Sequence, residues 1–276
     1  MLDVAVIGAG FWGSAISHRL RQSGRTVLCL DGALEGAASR AAAGLVRRRA
    51  WQLQPADWWG ERHSQACREF FHEGWVVEQT FNRRSPQPRV KGEVWAGRFP
   101  WVEGVSARVR KLRNQIGFWV VTADTESWSA RAVVLAAGCW CDSILQSSGL
   151  LPTGVRAVRG TAVLAPGRLE GVLTRTYRLG GDTRTRSLTA RPWQAGCVRV
   201  GDSLPEREAE QREEMRAFLN QLGVHELEWI WGLRPRLEQP LVRLWAPGLV
   251  VATGGYRNGL AIAPGVAARV QELLEG

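Results

Sequence analysis

The chain has 276 residues, of which 45% are hydrophobic and 22% charged, the balance of a globular protein with a sizeable core and not of a disordered or fibrous one. No apolar run approaches a membrane span, the opening MLDVAVIGAG has no basic leader region, and five cysteines without CxxC spacing argue against a disulfide framework or a zinc knuckle, so a cytoplasmic protein without a signal peptide is expected. The formal net charge is +10, and because Lys occurs only at Lys91 and Lys111 the other 34 of the 36 basic residues are Arg; no nucleic-acid fold motif accompanies them, so the excess reads as a solvated Arg-rich surface rather than a nucleic-acid face.

Residues 3–7 (DVAVI) read as a buried strand. Gly8, Gly10 and Gly13 follow in GxGxxG spacing, and a helical pattern through Ala15, Ile16 and Leu20 stops at Gly24. A second strand over 26–30 ends at Asp31. This is a complete βαβ opening of a dinucleotide-binding unit. The three glycines serve different ends. The first permits the tight turn, the second lets the backbone approach a pyrophosphate, and the third lets helix and strand pack closely. The helix N-terminus then offers N–H groups and a positive dipole end to the phosphates. Asp31, 23 positions after Gly8, is placed to accept hydrogen bonds from a ribose diol.

Residues 33–45 are small and glycine-containing and read as a loop or frayed helix. A Trp-rich segment follows, helical around 58–75. Residues 82–92 hold two prolines without apolar periodicity and read as a loop or linker. Strands are expected over 105–112, 117–123 and 132–135, and a sheet over 160–201 with Gly180-Gly181-Asp182 as a hairpin turn. A polar amphipathic helix covers 206–222, and the strand 249–252 leads through Gly254-Gly255 into a terminal helix ending near Leu274. A chain that opens on a nucleotide-binding βαβ unit and ends on strand–glycine–helix closes one α/β domain from both ends. The middle then supplies a second, smaller, sheet-rich domain. The four histidines are scattered without HxH or HxxxH spacing, so no metal site is expected. Cys139 and Cys141 flank Trp140; nothing marks them as a redox pair, and small buried thiols are the plainer reading.

Several separated motifs resemble the D-amino-acid-oxidase-like flavoproteins, and within them the glycine oxidase type. They are GAGFWG with Asp31, the run Ser39-Arg40-Ala41-Ala42-Ala43-Gly44-Leu45, the segment Trp231-Gly232-Leu233-Arg234-Pro235, and Gly254 through Pro264 (GGYRNGLAIAP). VVLAAGCW between them is similar to the strand–AxG–x–W signature that closes the nucleotide domain. The resemblance implies an α/β fold in which a Rossmann-like FAD-binding domain (1–45, 101–150 and 246–276) is interleaved with an α+β substrate domain (46–100 and 151–245) shortened between Leu45 and Val105. It implies FAD, held without a covalent bond. Gly8, Gly10, Phe11, Trp12 and Gly13 would follow the pyrophosphate and Asp31 the ribose. Ala38, Ser39, Ala43, Gly44 and Leu45 would follow the diphosphate and flavin edge, Val109 the adenine, and Gly138 the strand end. Gly255, Tyr256, Arg257, Asn258, Gly259, Leu260 and Ala261 would wrap the isoalloxazine.

By the same resemblance a small amino acid or amine is the substrate, oxidised by hydride transfer to flavin N5, with oxygen or another electron acceptor completing the turnover. Arg234 would fix the substrate carboxylate, because a planar guanidinium pairs bidentately. Arg257 would lie beside the flavin, and Tyr256 would line the pocket or pack. Two rival readings share the cofactor: an amine dehydrogenase with another acceptor, and a flavin-binding protein that has lost catalysis and works in a complex. Tyr177 stands where a strand tyrosine could either cap the substrate or simply pack.

Overall fold

The computed structural model describes the chain except residues 43–45, 52–55, 72–74, 83–84, 96–98, 167–171, 178–185, 193–196, 203–207, 221–222, 224 and 226–227; for 47–49, 75–82, 85–95, 165, 172–177, 186–192, 197–202, 208 and 211 it describes the backbone alone. The elements in chain order are β1 (Leu2–Ile7), α1 (Phe11–Gln22), β2 (Val27–Asp31), α2 (Ala38–Ala41), β3 (Val46–Arg47), a 3-10 turn (Arg48–Trp51), α3 (Glu61–Phe70), β4 (Trp75–Asn82), β5 (Ser85–Trp95), β6 (Val105–Ser106), β7 (Val109–Gln115), β8 (Phe118–Ala123) and β9 (Ser127–Leu135). A second 3-10 turn (Gly138–Trp140) leads into α4 (Cys141–Ser147), β10 (Arg156–Pro166), β11 (Val172–Tyr177), β12 (Arg186–Pro192), β13 (Cys197–Asp202), α5 (Glu208–Asn220), β14 (Glu228–Ala246), β15 (Leu249–Gly255) and α6 (Gly259–Glu275).

The nucleotide-binding half is a parallel sheet in the order β15-β9-β1-β2-β6, with β1 flanked by β2 and β9. Its centre is buried on both faces, which explains the unbroken apolar run of β1. Val4 and Val6 point into one core with Ile16 and Leu20 of α1 and Ile262, Val266 and Val270 of α6. Ala5 and Ile7 point into the other, with Leu112, Trp119 and Val121 of the β7–β8 hairpin and Leu145 of α4. Arg19 and Arg21 in the last turn of α1 suit the negative end of its dipole.

Strand β14 joins the two halves of the sheet. Its first part pairs antiparallel with β10, from Glu228 opposite Leu164 to Arg236 opposite Arg156. Its second part pairs antiparallel with β15, after a register shift between Arg236 and Leu241. Beyond β10 the order runs through β13, β12, β11, β4 and β5 to β3.

Most expected elements appear within a few residues of their sequence boundaries, with three differences. The helix expected around 58–75 is confined to α3, and the chain from Trp75 is already strand. The stretch 82–92, read as a loop, is mostly the strand β5. Its prolines are tolerated because the pairing with β4 shifts register between Thr80 and Asn82, and β5 meets β3 only at Val94 and Trp95 among the described pairs. The 19-residue β14 was not anticipated beyond its WGLRP segment. The expected turn at Gly180-Gly181-Asp182 lies outside the described residues, between the paired strands β11 and β12.

Helix α3 packs on α6 so closely that a Cβ on Gly265 would lie 2.4 Å from the Trp59 ring. His63 sits in this contact, buried beside Trp58 and Trp59. Its Nδ1 accepts the Gly60 N–H at 2.9 Å, and Nε2 faces Glu272 at 3.4 Å. Burial pushes the imidazole below its ordinary pKa and outweighs the pull of Glu272. Burial raises Glu272 in turn, but hydrogen bonding from Arg269 and the neighbouring His63 and Arg62 hold it low. The neutral ring is the form that fits, because an Nδ1 accepting the Gly60 N–H has no room for a second proton.

Candidate active site

The site grows from the C-terminal end of β1. Gly8 turns there with φ +100°, and a Cβ on it would lie 2.5 Å from the Ala136 carbonyl oxygen. A Cβ on Gly13 would lie 1.6 Å from the Gly8 oxygen, which is the close helix–strand packing assigned to the third glycine of the motif. Gly13 therefore shapes the site without lining it. Helix α1 starts with no acidic residue in its first turn and no side-chain cap from Gly10. Its Phe11 N–H donates instead to Ser39 Oγ of α2 at 3.0 Å. A Cβ on Gly10 would meet that same oxygen at 2.9 Å. Helix α2 is thus seated on the glycine loop.

A second helix N-terminus opens nearby. Helix α6 also lacks an acid in its first turn, and Trp12 Nε1 donates to the Gly259 carbonyl at 2.8 Å, tying the two helix starts together. Strand β15 ends at Gly255, where a Cβ would press on the Trp12 ring at 2.7 Å. Tyr256 follows in the left-handed region, φ +40°, held by its N–H donating to the Pro235 carbonyl at 2.9 Å. That bond joins the GLRP and GGYRNG segments. The Leu233 N–H donates to Gly36 O at 2.7 Å and joins GLRP to the approach of α2.

These segments enclose one cleft of about 930 Å³, near the top of the ~300–1,000 Å³ range of small-molecule sites. Gly8, Gly10, Phe11, Trp12, Asp31, Ala38, Ser39, Val109, Gly138, Arg234, and every residue from Gly255 to Ala261 line it. Ala43, Gly44 and Leu45 lie outside the described residues. Arg234 reaches the cleft from β14, opposite Val158 of β10. Two guanidiniums lie close to the Tyr256 ring, Arg236 at 5.4 Å and Arg257 at 5.7 Å from its centroid. Cys139 and Cys141 are thiols at neutral pH, pushed by burial to about 11 and about 12.

The FAD dependent oxidoreductase family model, named DAO, matches residues 3–90 and 104–273. The chain belongs to this family. No curated protein matches it by sequence. Among solved structures, glycine oxidase from Geobacillus kaustophilus is similar at 18% identity with a TM-score of 0.67, over 99% of this chain and 94% of that one. Iminodiacetate oxidase from Chelativorans sp. BNC1 is similar at 17% identity with a TM-score of 0.69, over 99% and 95%. L-alpha-glycerophosphate oxidase from Mycoplasma pneumoniae, a structure with FAD bound, is similar at 15% identity with a TM-score of 0.70, over 100% and 95%. At these identities the likeness is one of fold.

The residues fit the family's FAD. Gly8 and Gly10 allow no side chain without collision, so the loop is bare where a pyrophosphate needs backbone contact. Two helix N-termini without an acid in the first turn border the cleft and favour negative charge there. Asp31 stands on the wall as expected, but it already carries a partner: Arg40 Nη2 donates to Oδ2 at 2.7 Å, and the Ala33 N–H approaches Oδ1 at 3.3 Å.

Sequence reasoning missed several lining residues. Arg40 lay inside a motif read only for its small residues. Trp101, Thr161 and Thr253 also line the cleft. Trp101 stacks on Phe11 at 5.0 Å, and Thr253 Oγ1 donates to the Gly138 carbonyl at 2.9 Å. No spacing marks these three. Their position depends on which strands meet at the cleft, although the alternation of β10 could have flagged Thr161.

Proposed function

We propose that the protein oxidises the CH–NH bond of a small amino acid or amine, with oxygen as the electron acceptor. The observation that carries this is the convergence of Arg234 and Arg257 on the cleft beside the Gly255–Ala261 turn. Bound FAD would supply the acceptor for the two electrons of that carbon–hydrogen bond. Arg234 pairs with the substrate carboxylate through its planar fork and so fixes which carbon faces the cofactor. Arg257 adds a second positive charge at the same end. The Tyr256 ring, with the Arg236 and Arg257 guanidiniums near it, lines the same cleft and offers an apolar surface beside the substrate. The start of α6 favours negative charge at the cleft end next to Gly259 and Leu260.

The architecture behind this reading is two interleaved domains, FAD-binding over 1–45, 101–150 and 246–276 and substrate-binding over 46–100 and 151–245. The parallel order β15-β9-β1-β2-β6 against the run beyond β14, antiparallel except where β11 meets β4, supports that division. Support for amine oxidation comes also from the neighbours whose names are glycine oxidase and iminodiacetate oxidase.

The test is a turnover assay of FAD-reconstituted protein in air, with peroxide and the carbonyl product measured over a panel of small amino acids and secondary amines. Matched formation of both products supports the reading. Product formed only with an artificial dye would move the acceptor to an electron carrier. No turnover with any member would remove the enzyme reading.

A further inference from the structure

The Arg40–Asp31 ion pair has a position that the family motif does not explain. Both residues line the main cleft, and both also line a smaller pocket of about 300 Å³ beside it. Ala9 and Trp101 are shared in the same way. The ion pair and Trp101 therefore stand where the main cleft adjoins a side pocket that includes Glu103 and Ser106.

Helix α2 makes two ties here from consecutive residues. Ser39 grips the start of α1 through the Phe11 N–H. Arg40 reaches the end of β2, where Asp31 accepts its Nη2 at 2.7 Å. The two ends of the βαβ crossover are thus bridged by one short helix. The carboxylate retains acceptor capacity for a ribose hydroxyl, since two oxygens offer about four lone-pair sites and the contacts above use two of them. Arg40 need not leave for a ribose to bind.

We infer that α2 is a clasp over the dinucleotide and that the Arg40–Asp31 pair is its latch, setting how fast the cofactor leaves. The inference rests on FAD binding in this cleft. The lining supports it: Val109, Gly10, α2 and Tyr256 all border the one cleft, so a dinucleotide held there would contact α2, and Arg40 and Asp31 stand where the cleft adjoins the side pocket. The latch is exposed on one side, with Arg40 57% and Asp31 26% accessible, so added salt weakens it.

The test is the rate of FAD release on dilution, followed by the recovery of free-flavin fluorescence, at 20 and at 500 mM NaCl. At low salt Arg40→Ala and Arg40→Gln should release FAD about three- to fivefold faster than wild type, the size of a half-exposed ion pair, with Arg40→Lys between. High salt should accelerate the wild type toward the Arg40→Ala rate and change Arg40→Ala much less. Adding Arg40→Ala to Asp31→Asn should give no further acceleration, because the two groups act as one pair. Equal release rates for wild type and Arg40→Ala, an equal salt response in both, or additive effects in the double variant would overturn the latch while leaving FAD binding intact. Failure of the wild type to take up FAD at either salt would overturn the reading of the cleft and the latch with it.

Discussion

Two alanine substitutions in the glycine loop separate a packing role from a ligand role. At Gly13 an added Cβ would sit 1.6 Å from the Gly8 carbonyl oxygen. That oxygen belongs to backbone wedged between β1 and the Ala136 turn, so α1 has to lift off the sheet. The cost lies at or above the ~3 kcal/mol upper end of ordinary overpacking, which for a chain of this size is a Tm loss on the order of 6–12 °C. At Gly10 the Cβ would meet only the Ser39 hydroxyl, at 2.9 Å. That side chain can rotate away, at the expense of the bond it accepts from Phe11, about 1 kcal/mol or roughly 2–4 °C. Gly10→Ala should therefore stay folded and lose FAD affinity, because a side chain in the glycine loop would block the close backbone approach that a pyrophosphate needs. Adding Ser39→Gly should return part of the lost stability and none of the affinity. The assays are thermal unfolding without cofactor and FAD titration by fluorescence quenching. Gly13→Ala with wild-type stability would refute the packing argument, and Gly10→Ala with wild-type FAD affinity would refute the ligand argument.

Three further outcomes are expected. Arg234→Ala should lower kcat/KM for a carboxylate-bearing substrate about ten- to a hundredfold, the loss of a charge-assisted pair of about 1.5–3 kcal/mol, while leaving FAD affinity unchanged; equal kinetics would remove Arg234 from the substrate site. The folded state depresses the His63 pKa, so the unfolded chain binds the proton more readily; this contribution to stability is whole above the unfolded value of about 6.5 and is lost as pH falls below it. Thermal unfolding from pH 8 to 5 should show that loss in the wild type and a flatter profile in His63→Gln, and parallel profiles would contradict it. Cys139 and Cys141, pushed by burial to about 11 and about 12, should resist a thiol reagent in the folded protein at pH 7.5 and react on unfolding.

What could be read in the sequence follows from how local the cause is. The βαβ opening was legible because its periodicity, its three glycines and Asp31 act within 31 residues of chain, and the structure gives each glycine a measurable collision. The terminal strand–glycine–helix was legible for the same reason. Strand β14 was not, because Gly232, Pro235 and Pro240 are local signals against a strand, and its first part, which carries Gly232 and Pro235, persists through pairing with β10, about 70 residues earlier in the chain. Strand β5 hid behind Pro86 and Pro88 in the same way. At the site, the motif residues Arg234 and Gly255–Leu260 line one cleft. The Arg40–Asp31 pair could not be foreseen, because its formation depends on where α2 comes to rest against the end of β2.

The most direct measurement is the visible spectrum of the FAD-loaded protein under anaerobic conditions, titrated with glycine, sarcosine, iminodiacetate and simple primary amines. The account predicts that at least one of them bleaches the flavin absorbance stoichiometrically in the wild type and needs a far higher concentration to do so in Arg234→Ala. A spectrum that no amine or amino acid alters, or one bleached equally well in both proteins, would contradict it.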